Sequence, residues 1–159
     1  MPHLVILYTR QLDAETDLTA LCRSLADTML GVKDDAGKPV FPTGGTRVLA
    51  YPAAHHAVAD GGAAGRAAIG HGSDTNSGTG TGVGSGSGDY AFVYLNLRMG
   101  RGRSAATHQK AGELLLACTK AHFAPLFAQR HIGITLQIDE GHEVFDAKHS
   151  NLHPLFNKP

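Results

Sequence analysis

Apolar and polar positions alternate along this chain with two different periods, and the changes of period mark its elements. The first apolar run, Leu4-Val5-Ile6-Leu7-Tyr8 after His3, reads as a buried β-strand over 3–8. Asp13 and Asp17 then supply helix-start chemistry, and Leu18, Leu21, Cys22, Leu25 and Met29 recur at helical spacing on one face. Gly31 can close this helix. The stretch Asp34-Asp35-Ala36-Gly37-Lys38-Pro39 is a turn-rich connector, and a second strand is predicted over 46–51, after Gly44 and Gly45. From 61 to 88 the chain turns to Gly, Ser, Thr and Ala, which bury too little apolar surface to offset the entropy of ordering them. Order returns at Asp89. Ala91, Val93, Leu95 and Leu97 alternate with Phe92, Tyr94 and Asn96, the period of a strand. The turn Met99-Gly100-Arg101-Gly102-Arg103 leads to Ser104, a good N-cap, and a long helix follows with Ala111, Leu114, Leu115, Cys118, His122 and Leu126 expected on one side. Ile132, Ile134, Leu136 and Ile138 alternate with Gly133, Thr135 and Gln137 to make the last strand.

The order is β-α-β, loop, β-α-β, so each half supplies two strands and a crossover helix. Such crossovers join parallel strands. Two units side by side give an α/β (α+β) fold: a four-stranded sheet with two helices on one face. The other face stays bare, and its apolar residues must be buried by other copies of the chain. The expected organisation is one domain over 1–159, with a flexible Gly/Ser-rich insertion at about 62–87.

Composition narrows the partners. Basic and acidic residues balance at 14 each, so there is no electrostatic footprint for nucleic acid or an acidic membrane. No apolar stretch approaches the roughly 20 residues that cross a bilayer, and the start lacks a signal-type segment. The expected location is therefore cytoplasmic. Cys22 and Cys118 both fall at apolar helix positions and read as reduced core residues rather than a disulfide framework or metal spacing.

The candidate chemistry begins at the second residue. Met1 precedes Pro2, a small residue that normally permits removal of the start methionine, and Pro2 leads directly into the first strand. Removal leaves a free secondary amine. An ordinary terminal amine has a pKa of about 7.7–8.0. Burial or a neighbouring guanidinium lowers it by disfavouring the charged form, toward the range in which a general base works best.

With Pro2 opening a doubled β-α-β chain, the sequence resembles the tautomerase superfamily, and within it the 5-carboxymethyl-2-hydroxymuconate isomerase family. The resemblance rests on Met1-Pro2-His3-Leu4-Val5, on Phe41-Pro42 through Gly45-Thr46-Arg47, and above all on Asp89-Tyr90-Ala91-Phe92-Val93. It continues through Gly100, Gly102-Arg103-Ser104, Gln109, Ala111-Gly112-Glu113, Thr119, His122-Phe123 and the tail Asn151-Leu152-His153 with Leu155-Phe156. The resemblance implies a tautomerase-like fold, a homotrimer and no cofactor; no metal is expected at the site. It also implies a proline amine that moves a proton across a conjugated dienol acid during aromatic breakdown. Such a substrate is a small molecule with several carboxylates, and arginine holds carboxylate through a planar, permanently charged fork. Arg47 and Arg103 match the family's arginine positions and are the expected catalytic and substrate-binding partners of Pro2. Arg101, in the same turn as Arg103, is a further binding candidate at a position the family does not hold as arginine.

Two departures from the family pattern stand out. Leu7 occupies a position where the family usually carries glutamate, and the segment at about 62–87 is additional to the pattern. Other motifs carry less. Gly100-Arg101-Gly102-Arg103-Ser104-Ala105 fits a dinucleotide fingerprint, but the chain is too short for a doubly wound sheet and no acid stands at the required distance. His149 and His153 have one-turn spacing in a polar tail and lack the further convergent ligands that zinc needs. The alternatives to a dienol isomerase are a tautomerase-fold enzyme on another substrate and a catalytically silent oligomer that binds a small acid.

Overall fold

The computed structural model describes residues 2–68, 90–141, 147 and 152–156. Strands β1 (His3–Thr9), β2 (Arg47–Ala53), β3 (Ala91–Met99) and β4 (Ile132–Glu140) form one sheet in the order β2-β1-β3-β4. β1 pairs parallel with β2 and β3 parallel with β4, whereas β1 and β3 meet antiparallel at the centre. Helices α1 (Leu18–Gly31), α2 (Ala63–Ala68) and α3 (Ala105–Phe127) complete the regular elements, with 3-10 turns at Arg10–Ala14 and His153–Phe156. The two β-α-β units and the single four-stranded sheet are those expected from the sequence; the antiparallel join between the units comes from the structure. Among the described residues no helix is long and apolar enough to cross a membrane.

The core lies between one face of the sheet and the pair α1 and α3, which pack side by side. Leu4, Ile6 and Tyr8 of β1 and Val93, Leu95 and Leu97 of β3 meet Leu21, Leu25 and Met29 of α1 and Ala111, Leu115 and Phe123 of α3. Asp17 caps α1 by accepting a hydrogen bond from the Ala20 amide, and Ser104 caps α3 through the Thr107 amide. Asp13 has a different role from the helix-start one expected of it. Its carboxylate accepts from the Tyr8 hydroxyl at 2.6 Å, which ties β1 to the turn that follows. Burial, with that hydrogen bond, pushes the Tyr8 phenol up to about 12.

Helix α3 presents a different face from the one expected. Thr107, Ala111, Leu115, Thr119 and Phe123 are its buried residues, while Leu114 is 41% exposed and Cys118 only half-buried. Alanine, leucine and cysteine surround this helix on nearly every side, so periodicity does not choose a face. Contact with the sheet does. Burial of Thr119 is tolerated because its hydroxyl donates to the Leu115 carbonyl at 2.8 Å. Cys22 is likewise half-buried, and both cysteines are free. β2 runs two residues beyond its predicted end, through Pro52. The strand order places β2 at the edge of the sheet, where a missing N–H is tolerated.

The segment expected to be irregular from residue 62 opens instead with α2, a short helix held by Asp60, whose carboxylate accepts from the amides of Gly62 and Ala64. The rest of the expected insertion, 69–87, lies outside the described residues. The opposite sheet face points away from α1 and α3. Leu7, Leu49, Tyr51 and Phe92 stand on it at 40–50% exposure.

Candidate active site

Pro2 is buried immediately before β1. The loop between α1 and β2 folds over it. The Pro42 carbonyl accepts from the Gly45 amide, the Thr46 amide and the Thr46 hydroxyl, closing a tight turn. Gly45 lies inside that turn. A Cβ there would crowd Pro42 Cγ at 3.1 Å, so the glycine suits the turn, and would meet Pro2 Cδ at an ordinary contact distance of 3.8 Å, which puts the turn beside the Pro2 ring. Gly44 is covered from the other side by Phe156, whose Cδ2 would be 2.9 Å from an added Cβ. The turn His153–Phe156 therefore packs on the loop that closes on Pro2. The side chains of His149 and His153 lie outside the described set.

The expected arginines come to the same end of the sheet. Arg47 opens β2 and pairs in register with His3, the residue after Pro2. It is half-buried and donates through Nη1 to the Thr46 carbonyl at 2.9 Å. Arg103 follows the antiparallel neighbour β3. Its Nη1 donates to the Gly100 carbonyl at 2.8 Å and its Nη2 to the Val40 carbonyl at 3.1 Å. This fork pins the turn after β3 to the loop before β2, and Gly102, with φ +93°, makes that turn possible. Arg101 is exposed on the same turn.

Sequence reading missed two residues at this end. His3 faces Arg47 on one side and Arg98 on the other, in adjacent strands. Burial, followed by surrounding positive charge that includes Arg47 and Arg98, holds its imidazole below the usual value of 6.5. The available signal for Arg98 was the alternation of β3, which sets it on the uncovered face beside the glycine turn. Among the described residues no group of three or more His, Cys, Asp or Glu side chains is arranged to hold a metal ion.

A cleft of about 440 Å³ lies elsewhere, at the starts of β3 and β4, lined by Tyr90, Phe92, Phe127, Arg130 and His131 among others. The length of the sheet separates it from Pro2. Arg130 there is committed to Glu15 at 2.9 Å, a link between the end of α3 and the turn before α1.

Comparison with known proteins identifies the family. A family model described as 5-carboxymethyl-2-hydroxymuconate isomerase matches residues 2–69 and 78–156. The match thus extends into the segment expected to be an insertion and leaves only 70–77 aside. A solved structure of a 5-carboxymethyl-2-hydroxymuconate delta-isomerase is 57% identical, covering 100% of this chain and 95% of that one, with a TM-score of 0.85. A 5-carboxymethyl-2-hydroxymuconate isomerase from Deinococcus radiodurans R1 is 30% identical over 99% of this chain and 95% of its own, with a TM-score of 0.71. The 5-carboxymethyl-2-hydroxymuconate Delta-isomerase of Escherichia coli is 39% identical over 54 residues, 34% of this chain; the matched stretch spans 43% of that curated relative's length. With the buried proline, the arginine-bearing strand beside it and a match that runs through both halves, this chain belongs to the 5-carboxymethyl-2-hydroxymuconate isomerase family.

Proposed function

We propose that this chain, once Met1 is removed, is an isomerase that ketonises an unsaturated 2-hydroxy carboxylic acid, with 5-carboxymethyl-2-hydroxymuconate as the first substrate to test. The observation that carries the reading is the burial of Pro2 under the Gly45 turn, one residue before the rung that holds Arg47. A buried amine beside fixed positive charge favours its neutral, basic form. In the reaction, the Pro2 nitrogen takes the proton of the 2-hydroxyl. The O–H electron pair forms the C2 carbonyl, the C2–C3 double bond moves to C3–C4, and the C4–C5 double bond becomes single as its electron pair shifts to C5. The prolinium then delivers the proton to C5, giving the 2-oxo-3-ene isomer. No electrons are gained or lost, so no cofactor is needed.

Arg47 is the first carboxylate ligand in this reading, and it stabilises negative charge that develops on the enolate oxygen. Arg103 serves in two ways: it braces the loop over Pro2 and offers its remaining N–H groups to substrate. Arg101 supplies a further positive charge on the same turn. The exposed apolar residues Leu7, Leu49, Tyr51 and Phe92 are to be covered by other copies, in the trimer that the family resemblance implies. Leu7 faces Tyr51 and Tyr94 two rungs from His3, so its replacement of a family glutamate acts on that apolar face and not on Pro2.

The test is a ketonisation assay on protein whose terminus has been verified by intact mass. Processed wild type should turn over the dienol, and Pro2→Ala should lose at least 10²-fold in kcat, the lower range for general base catalysis. Protein that retains Met1 should be equally impaired, since an amide nitrogen accepts no proton. Undiminished turnover in either would remove Pro2 from the chemistry.

A further inference from the structure

The uncovered sheet face changes character along its length. Across β2, β1, β3 and β4 its first rung is Arg47, His3, Arg98 and Asp139; the next is Leu49, Val5, Asn96 and Gln137; the third is Tyr51, Leu7, Tyr94 and Thr135. Charge is confined to the first rung, which begins one residue after Pro2. The acid in that rung is already engaged. Asp139 accepts from Asn96 Nδ2 at 2.7 Å and from Gln137 Nε2 at 3.0 Å, one donor on each carboxylate oxygen. Among the described residues Arg98 forms no ion pair, and it is exposed. Arg47 and Arg98 lie on the strands either side of β1, each about 4.8 Å from that of His3 and so two strand spacings from one another. An anion seated across the rung, over His3, would have a guanidinium to accept from on each side.

We propose that Arg98, together with Arg47 and across His3, forms a carboxylate-binding rung that holds one carboxylate of a di- or tricarboxylate substrate while Pro2 acts on the enol. The inference rests on the isomerase reading for the identity of the anion. It adds to that reading a residue that selects polycarboxylates over monocarboxylates. Copies packed on the apolar rungs leave the charged rung at the Pro2 end, where substrate enters.

The test separates this rung from the catalytic proposal. Propane-1,2,3-tricarboxylate is an inert probe, and the His3 imidazole, assigned by its loss in His3→Asn, reports on it by NMR. Binding should raise the His3 pKa in wild type, because an adjacent anion favours imidazolium. Arg98→Gln should weaken probe binding about 10- to 100-fold, as expected for loss of a charge-assisted fork, and Arg98→Lys should recover part of it. With the dienol substrate, Arg98→Gln should raise KM by a similar factor and change kcat little. Equal probe affinity in Arg98→Gln, or a wild-type His3 signal that ignores the probe, overturns the rung while leaving Pro2 catalysis standing. A normal probe response in protein that lacks isomerase activity has the reverse meaning: the rung stands and the reaction is wrong.

Discussion

Adding one methyl group at Gly44 tests how the C-terminal turn holds the loop that closes on Pro2. Gly44 is not among the glycines with positive φ, so alanine meets no backbone strain there. The cost comes from contact. An added Cβ would lie 2.9 Å from Cδ2 and 3.3 Å from Cγ of Phe156, against the roughly 3.5–4.0 Å at which carbon atoms attract. Phe156 is 49% exposed and can swing away. If it does, it gives up about half of the ~150–250 Å² that a phenylalanine buries, about 100 Å². At about 25 cal/mol per Å² that is a ceiling of about 2.5 kcal/mol. Replacing glycine restricts the unfolded chain and returns about 0.4–1 kcal/mol. Gly44→Ala should therefore destabilise by about 1–2 kcal/mol, measured by urea unfolding at fixed protein concentration. In a Phe156→Ala background the same change should be neutral or stabilising by about 0.4–1 kcal/mol. An unchanged penalty in that background would refute the packing argument.

Two other substitutions probe the core and its response to acid. Phe123→Ala, at a site with no exposure, should cost about 3–5 kcal/mol in the same unfolding assay. His122 bonds Thr16 through Nε2 at 2.8 Å, and burial, opposed by the Asp17 charge, lowers its pKa below 6.5. The unfolded chain therefore takes up this proton first as pH falls. The His122 contribution to stability is present above 6.5 and is lost between 6.5 and the lower folded value. Unfolding midpoints measured from pH 8 to 5 should decline more steeply in wild type than in His122→Gln, and parallel curves would exclude this residue.

The strands and their order in sequence could be read from local pattern, because period-two alternation in Ala91–Met99 and Ile132–Glu140 and the caps Asp17 and Ser104 are properties of short stretches. Pro2, Arg47 and Arg103 could be named as candidates because residue type and family resemblance are both read from the chain itself. The buried face of α3 was not, since that helix is apolar on several sides and only the sheet selects Thr107, Thr119 and Phe123 over Leu114. Register was equally hidden. His3, Arg47 and Arg98 lie far apart in the chain, and only the parallel pairing of β1 with β2 and the antiparallel pairing with β3 set them in one rung. Local sequence thus determined which segments become strands and helices and where a reactive amine could arise. The tertiary structure decided which cations share its end of the sheet, because that depends on strand order and register, which long-range packing sets and no single segment encodes.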